Sequence, residues 1–290
     1  MPSMRSVPLR FPRHLPLLAL SLCLLVAVGC TGLFQNIGAR WVTRQIAGEF
    51  NLDEAQTAAT RESVDRILRA APAALGTKVD MLVATVDAAI AKGLTEKKLL
   101  GMERQVDILL DIVAGGIIDE AAPILATLRD EQIDFVDARL QKRLEEARER
   151  LAKPEEERLD KRQDAFIESV ADWAGDLSDA QEQALRDYVA GLPDESSARL
   201  ATDERRVESM GALFRTHPGA KAIRDALWNE WKNREDWGPH ARPAGARRAE
   251  GRNALLFVYG MLDSAQKKHA SAHLHELHEK VKAFLGTAGS

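Results

Sequence analysis

Cysteine is nearly missing from this chain: its 290 residues include only Cys23 and Cys30, both close to the start. No disulfide can staple the long remainder of the chain, so packing alone must hold the fold. Aromatic residues are scarce as well, at 5%. Ala, Leu, Glu and Arg take their place, a composition that favours helices. There is no glycine-rich phosphate loop, nucleophile elbow, cysteine pair or HExxH order, which removes the familiar phosphoryl-transfer, acyl-transfer and zinc-protease arrangements. An excess of basic charge is also lacking. From residue 30 onward there are 37 basic against 44 acidic residues, a net of −7, which argues against nucleic acid as a partner.

The apolar run Leu15 to Cys30, LPLLALSLCLLVAVGC, stands out against this background. It is short of the ~20 residues needed to span a bilayer, and Pro16 sits in its first turn. Arg5, Arg10 and Arg13 precede it without any acid. A basic start, an apolar middle and a small-residue end describe a secretory signal peptide. The closing Ala27-Val28-Gly29-Cys30 resembles the lipobox of bacterial lipoproteins. That resemblance implies cleavage before Cys30 and lipid chains on its thiol and amine. With Thr31 rather than Asp after the cysteine, it also implies export to the outer membrane. The expected division is therefore residues 1–29 as leader, 30–50 as lipidated tether and amphipathic segment, and 51–290 as a helical periplasmic domain. Leu33, Phe34, Ile37 and Trp41 form one stripe near Arg40 and Arg44. The stripe suits a helix lying on the bilayer surface or one packed on the domain.

Helix starts recur along the domain. Leu52-Asp53-Glu54-Ala55-Gln56, Leu94-Thr95-Glu96-Lys97-Lys98, Leu177-Ser178-Asp179-Ala180-Gln181 and Leu262-Asp263-Ser264-Ala265-Gln266 share a leucine, an oxygen-bearing residue and a polar residue three further on. This is capping-box chemistry with a leucine staple. Irregular spacing rules out a solenoid repeat. Between these starts the apolar period is helical: Val79, Leu82, Val83, Val86 and Ile90, then Leu99, Met102, Val106, Leu109 and Val113. Gly115-Gly116 is expected to break the second helix, with Pro123 kinking or dividing a short helix from Ile117 to Leu128.

From Asp130 to Leu151 the apolar residues Ile133, Val136, Leu140, Leu144, Ala147 and Leu151 form a narrow coiled-coil seam. Pro154 and then Glu155, Glu156 and Glu157 make a strong start for the next helix. Its seam is Leu159, Phe166, Val170 and Trp173. The two helices are expected to form an antiparallel hairpin, with the intermixed charges of residues 139–162 as a solvated face.

The order of these features resembles an uncharacterised family of all-helical proteobacterial lipoproteins: the lipobox, Phe50-Asn51-Leu52-Asp53 with Gln56, the charged double helix, and Trp173-Ala174-Gly175-Asp176-Leu177 with Gln181. The likeness runs from about residue 30 to residue 285. It implies an all-helical envelope lipoprotein and brings no known activity with it. Lys98 departs from the glutamine of that pattern. The capping motifs also resemble those of periplasmic stress chaperones of the LTxxQ type.

Three further features invite functional readings. Trp228, Trp231 and Trp237 can grip a client or fill the core. The loop DWGPHARPAG, residues 236–245, is followed by Arg247, Arg248 and Arg252, with Arg242 inside it. These arginines suit lipid headgroups or another polyanion, or simply decorate a surface loop without partners. His269, His273, His275 and His278 on the last helix, with Glu276 and Glu279, offer metal-ligand spacing without a complete motif. The apolar run Leu255 to Met261 is expected to be buried.

The fold class is all-α: an elongated array of eight to ten helices with long antiparallel hairpins. Cys30, as the lipidation site, is the one site residue assigned. No catalytic, cofactor-binding or metal-ligating residue is assigned. The expected role is non-enzymatic binding, scaffolding or chaperoning on the periplasmic face of the outer membrane. The partners are the membrane, through lipid at Cys30, and a protein client or envelope partner. The alternative is a metal-binding enzyme or sensor built on the histidine helix.

Overall fold

A computed structural model describes residues 34–288, with side chains from Ala39 to Gly286. The leader and Cys30 lie outside the described residues. Among those residues the fold is all-α and contains ten helices. They are α1 (Phe34–Phe50), α2 (Glu54–Lys92), α3 (Glu96–Leu125), α4 (Asp130–Leu151), α5 (Glu155–Ala174), α6 (Asp179–Ala190), α7 (Ser196–Phe214), α8 (Ala220–Lys232), α9 (Ala244–Met261) and α10 (Ser264–Ala288).

The α2–α3 hairpin is the spine. α2 has 39 residues, about 58 Å of helix. It runs antiparallel to α3: Ala89 packs with Leu99 and Met102 near the turn, while Arg66 pairs with Glu120 at 2.7 Å near the far end. Two helices lie end to end along α2. α1 folds back on its first half through a short turn, burying Ala39 and Thr43. α10 runs antiparallel to its second half, with His278 against Asp80 at 2.7 Å and His275 against Asp87 at 3.4 Å. α3 is covered in the same manner by α8 and then α9. The face of α1 that buries Ala39 and Thr43 is thus spent on the helical body.

Both ends of the spine are closed by the same device. At one end Gln56 bonds the amide of its cap residue Asp53 at 3.0 Å and accepts from Gln132 at 2.6 Å. Gln132 in turn accepts from the Arg129 amide at 3.0 Å and donates to the Asn51 carbonyl at 2.8 Å. At the other end Gln181 donates to Gln266 at 2.8 Å, and Gln266 donates back at 2.9 Å. Gln181 also donates to the Met261 carbonyl and Gln266 to that of Asp176, each at 2.9 Å. Every amide is satisfied, as burial demands. The capping pattern is confirmed, and its glutamines do a second job. The partner of Gln56 belongs to Leu128-Arg129-Asp130-Glu131-Gln132, where an arginine occupies the cap position. Thr95 receives only a long 3.4 Å bond from the Lys98 amide, so that start joins no pair.

α9 knits the core. Its Leu256 packs on the Ala89, Leu99 and Met102 cluster. Its Phe257, Val258 and Met261 pack on Ile167, Val170, Ala174 and Leu185 of α5 and α6. The Tyr188 ring stacks on Phe257 with centroids 4.4 Å apart, and burial pushes its hydroxyl pKa up.

Four expectations are corrected. Gly115-Gly116 does not break the chain, because α3 continues to Leu125 with Pro123 in its last turn. The ring of Trp228 lies so close to Gly115 that a Cβ there would come within 3.2 Å of it. The α4–α5 hairpin does not form: α4 packs on α7 and α1, and α5 on α6 and α10. Arg158 sets that corner by donating to the Leu151 and Lys153 carbonyls, at 3.1 and 2.8 Å, and to Asp194 at 3.2 Å. Trp173 is 41% exposed, and Ile167 takes the inward place beside Val170. Leu255 is 54% exposed, because α9 turns Leu256 and its neighbours inward in two directions. The helix Asp130–Leu151 has the expected bounds, with Ile133 and Leu144 buried.

Candidate functional site

The densest set of perturbed charges surrounds residues 233–243. α8 runs along α3, with Arg224 on Asp119 at 2.5 Å and Trp231 donating to Asp111 at 2.8 Å. α9 resumes that track, with Arg248 on Asp107 at 2.7 Å and Arg252 on Glu103 at 2.9 Å. Between them the chain swings out to α7. Trp237 makes cation–π contacts with two guanidinium groups, Arg247 at 4.0 Å and Arg199 at 5.2 Å from the ring centroid. Its carbonyl accepts from the Thr202 hydroxyl at 2.8 Å. Gly238 has φ +80, a backbone conformation that calls for glycine; a Cβ there would meet the Arg205 guanidinium at 2.7 Å, which that side chain can relieve by moving. Arg206 donates to the Asn233 and Arg234 carbonyls, 3.1 Å each.

The arginines read from the sequence are all engaged. Arg242 bridges Glu195 at 3.1 Å and Glu250 at 2.7 Å, and Arg248 joins Glu235 to Asp107. Arg247 donates to the Arg242 and Glu235 carbonyls. The surface loop with unpaired arginines is therefore corrected: these side chains fasten α9 and the excursion to α3 and α7. Their carboxylate bonds raise the Arg242 and Arg248 pKa values. Burial pushes Glu195 up, yet its bonds to Arg242 outweigh burial and hold it below the usual range.

Two charges on α7 differ from these. Arg199 and Asp203 are partly buried and stand four residues apart. Burial lowers the arginine and raises the aspartate, against the pull of Arg199 and Arg206 on the latter. Burial thus favours the neutral form of Asp203.

On its other side α7 meets α4 antiparallel across an open groove. Leu144, Val207 and Ala212 contribute apolar lining. Arg148 and Glu204 pair at 2.6 Å and Arg215 and Asp137 at 2.7 Å along it, while Glu208 and Gln141 also line it. An apolar strip with alternating charges suits a peptide or helix better than a small substrate.

Residues 51–240 match the model of a family of unknown function (DUF6279). The chain belongs to this family. No curated protein and no solved structure matches it. The family span covers the spine, the α4–α7 groove and most of the excursion. It ends before α9 and the histidine helix.

The histidines go to separate places. His273 meets Trp173 edge-on with centroids 5.0 Å apart. His269 rests against Gly175, whose φ is +78. His275 and His278 pair with Asp87 and Asp80. Among the described residues no three of His, Cys, Asp or Glu converge on one point, so the spacing on α10 serves helix packing. The tryptophans are likewise partnered: Trp228 with Gly115, Trp231 with Asp111 and Arg234, Trp237 with its two arginines. Sequence reasoning missed Arg199, Asp203 and the groove, because their partners lie on elements far along the chain. The one local signal was Asp236 to Gly245, whose loop composition marked the excursion.

Proposed function

We propose that this chain is a lipid-anchored protein with a non-enzymatic binding, scaffold or chaperone-like role, held on the periplasmic face of the outer membrane through Cys30. The observation that carries the location is the leader, three arginines and an apolar run ending in Ala27-Val28-Gly29-Cys30, whose chemistry is that of a lipidation site. Support for binding over catalysis comes from the α4–α7 groove, an open feature within the family span, and from the use of the candidate reactive groups in helix-to-helix contacts. The partner is a protein segment able to rest on Ala212 and to place charges beside Arg148 and Glu208.

Two measurements test the reading. Cys30→Ala should abolish incorporation of radiolabelled fatty acid and leave an uncleaved precursor. A cleaved, lipid-labelled Cys30→Ala protein would overturn the anchoring. Photo-crosslinking in cells from position 141 should capture a protein partner, and Glu208→Arg, at an exposed residue of the groove, should abolish the capture. A crosslink unaffected by Glu208→Arg would move the binding role away from the groove.

A further inference from the structure

Resting on the lipid-anchor reading, the geometry points to a side-on pose: we propose that the spine lies along the bilayer, with the middle of α2 and the facing ends of α1 and α10 against the lipid headgroups. The argument is one of reach. Only Thr31, Gly32 and Leu33 separate Cys30 from the start of α1. Four residue steps, even fully drawn out, cover about 14 Å. The start of α1 must therefore lie within that distance of the lipid.

That starting point sits far from both ends of the spine. α1 has 17 residues, about 25 Å of helix, and folds back on α2 through the short turn at residues 51–53. Its first turn thus comes level with α2 near Ala70. A second measure agrees. His278 faces Asp80 with the helices antiparallel, so the last turn of α10 also reaches α2 near Ala70, and α10 touches α1. From Ala70 it is about 24 Å to the Glu54 end of α2 and about 33 Å to the Lys92 end. Both distances exceed the tether. Standing on either end would carry the anchor out of reach of the membrane, whereas lying on the flank keeps it within reach.

The exposed residues of that stretch suit the position. Arg69, Ala73, Thr77 and Lys78 are exposed on α2, and Arg69 and Lys78 have no ion-pair partner among the described residues. Small residues allow close approach, and the two cations favour an anionic phospholipid surface. No helix of the described residues is long and apolar enough to cross a membrane, so the contact is with the surface.

The test uses the full lipidated protein in vesicles of phosphatidylethanolamine and phosphatidylglycerol. Cys23 falls in the leader and Cys30 carries lipid, so a single introduced cysteine takes the fluorophore. Thr77→Cys labels the flank, Glu131→Cys and Lys97→Cys the two ends, and Asn229→Cys the far side on α8. Headgroup-level spin-labelled lipid should quench the label at 77 and leave that at 229 bright. Quenching at 131 or 97 with 77 bright means an upright pose and overturns the proposal. Quenching at 229, or at none of the four, overturns it as well. Intact mass is read on the same samples. Lipid present with 77 bright sinks only the side-on pose, whereas lipid missing from Cys30 sinks the anchoring and the pose together.

Discussion

Gln56 and Gln132 grip each other across 76 residues of chain by two amide hydrogen bonds, of 2.6 and 3.1 Å, while each caps its own helix. Gln132 is 1% exposed. Replacing it with alanine takes away the side-chain partners of the Arg129 amide and the Asn51 carbonyl and removes the two bonds to Gln56, which keeps those to Thr127 and Asp53. Gln132→Ala should cost about 1–3 kcal/mol or somewhat more. Gln56→Ala on top of it should add less than it does alone, with a coupling of about 0.5–3 kcal/mol. Urea denaturation of the four proteins of the cycle measures this; strict additivity would show that the two side chains work separately.

The paired glycines of α3 separate propensity from packing. Gly116 has nothing near its missing Cβ, whereas Gly115 has the Trp228 ring at 3.2 Å. Gly116→Ala should gain about 0.5–1 kcal/mol from helix propensity. Gly115→Ala should gain less or lose, and Gly115→Leu should destabilise by about 1–3 kcal/mol through overpacking. Equal gains at both sites in thermal unfolding would show that the indole moves aside freely.

Leu144 is buried at 5% exposure and shares the groove lining with Val207. Leu144→Ala should cost about 2–4 kcal/mol, and exposed Lys142→Ala should stay within about 0.5 kcal/mol. The cost should couple to Val207→Ala and be additive with Phe166→Ala, since Phe166 packs in the α5–α6 core. Coupling to Phe166 instead would restore an α4–α5 hairpin.

Two aspartates should respond to pH with opposite signs. Burial holds the Asp203 carboxyl above the usual range, so the folded state binds that proton more tightly. Its contribution to stability falls as pH rises from about 3.9 through the folded value. Asp203→Asn should therefore stabilise at neutral pH, with the gain shrinking towards pH 4. Asp53 is held low by the Gln56 amide and then by Arg129. Its stabilisation is present above about pH 3.9 and lost as pH falls through the lowered value, so Asp53→Asn should cost stability at neutral pH and little in strong acid. Denaturant midpoints across pH 3–7 check both signs.

Local signals read well from the sequence and long-range ones did not. The bounds of α4, the Pro154 helix start and the Asp53, Ser178 and Asp263 caps depend on neighbours within four residues, and all appear as expected. The partner of each seam does not depend on neighbours. Leu144 had to be buried, but it meets α7 and not α5, at a corner where Arg158 reaches Asp194. The glycines of α3 misled because glycine weakens a helix locally; Trp228, more than a hundred residues on, explains Gly115, and nothing in the structure explains Gly116. The arginines after residue 241 looked free because Asp107 and Glu103 lie on α3. Gln132 was overlooked because its cap residue, Arg129, lacks the acceptor oxygen of the motif.

The cover of α2 by helices from opposite ends of the chain bears on when the molecule can finish folding. During synthesis the first half of α2 finds α1 at once. The second half must wait for α10, whose His278 meets Asp80 across 198 residues. Until α10 emerges, the face of α2 that receives it has no lid. Contacts of such separation are slow to close, and the open face is a surface on which chains can associate. A chain stopped before residue 264 should therefore accumulate as aggregate and not as a smaller soluble fold.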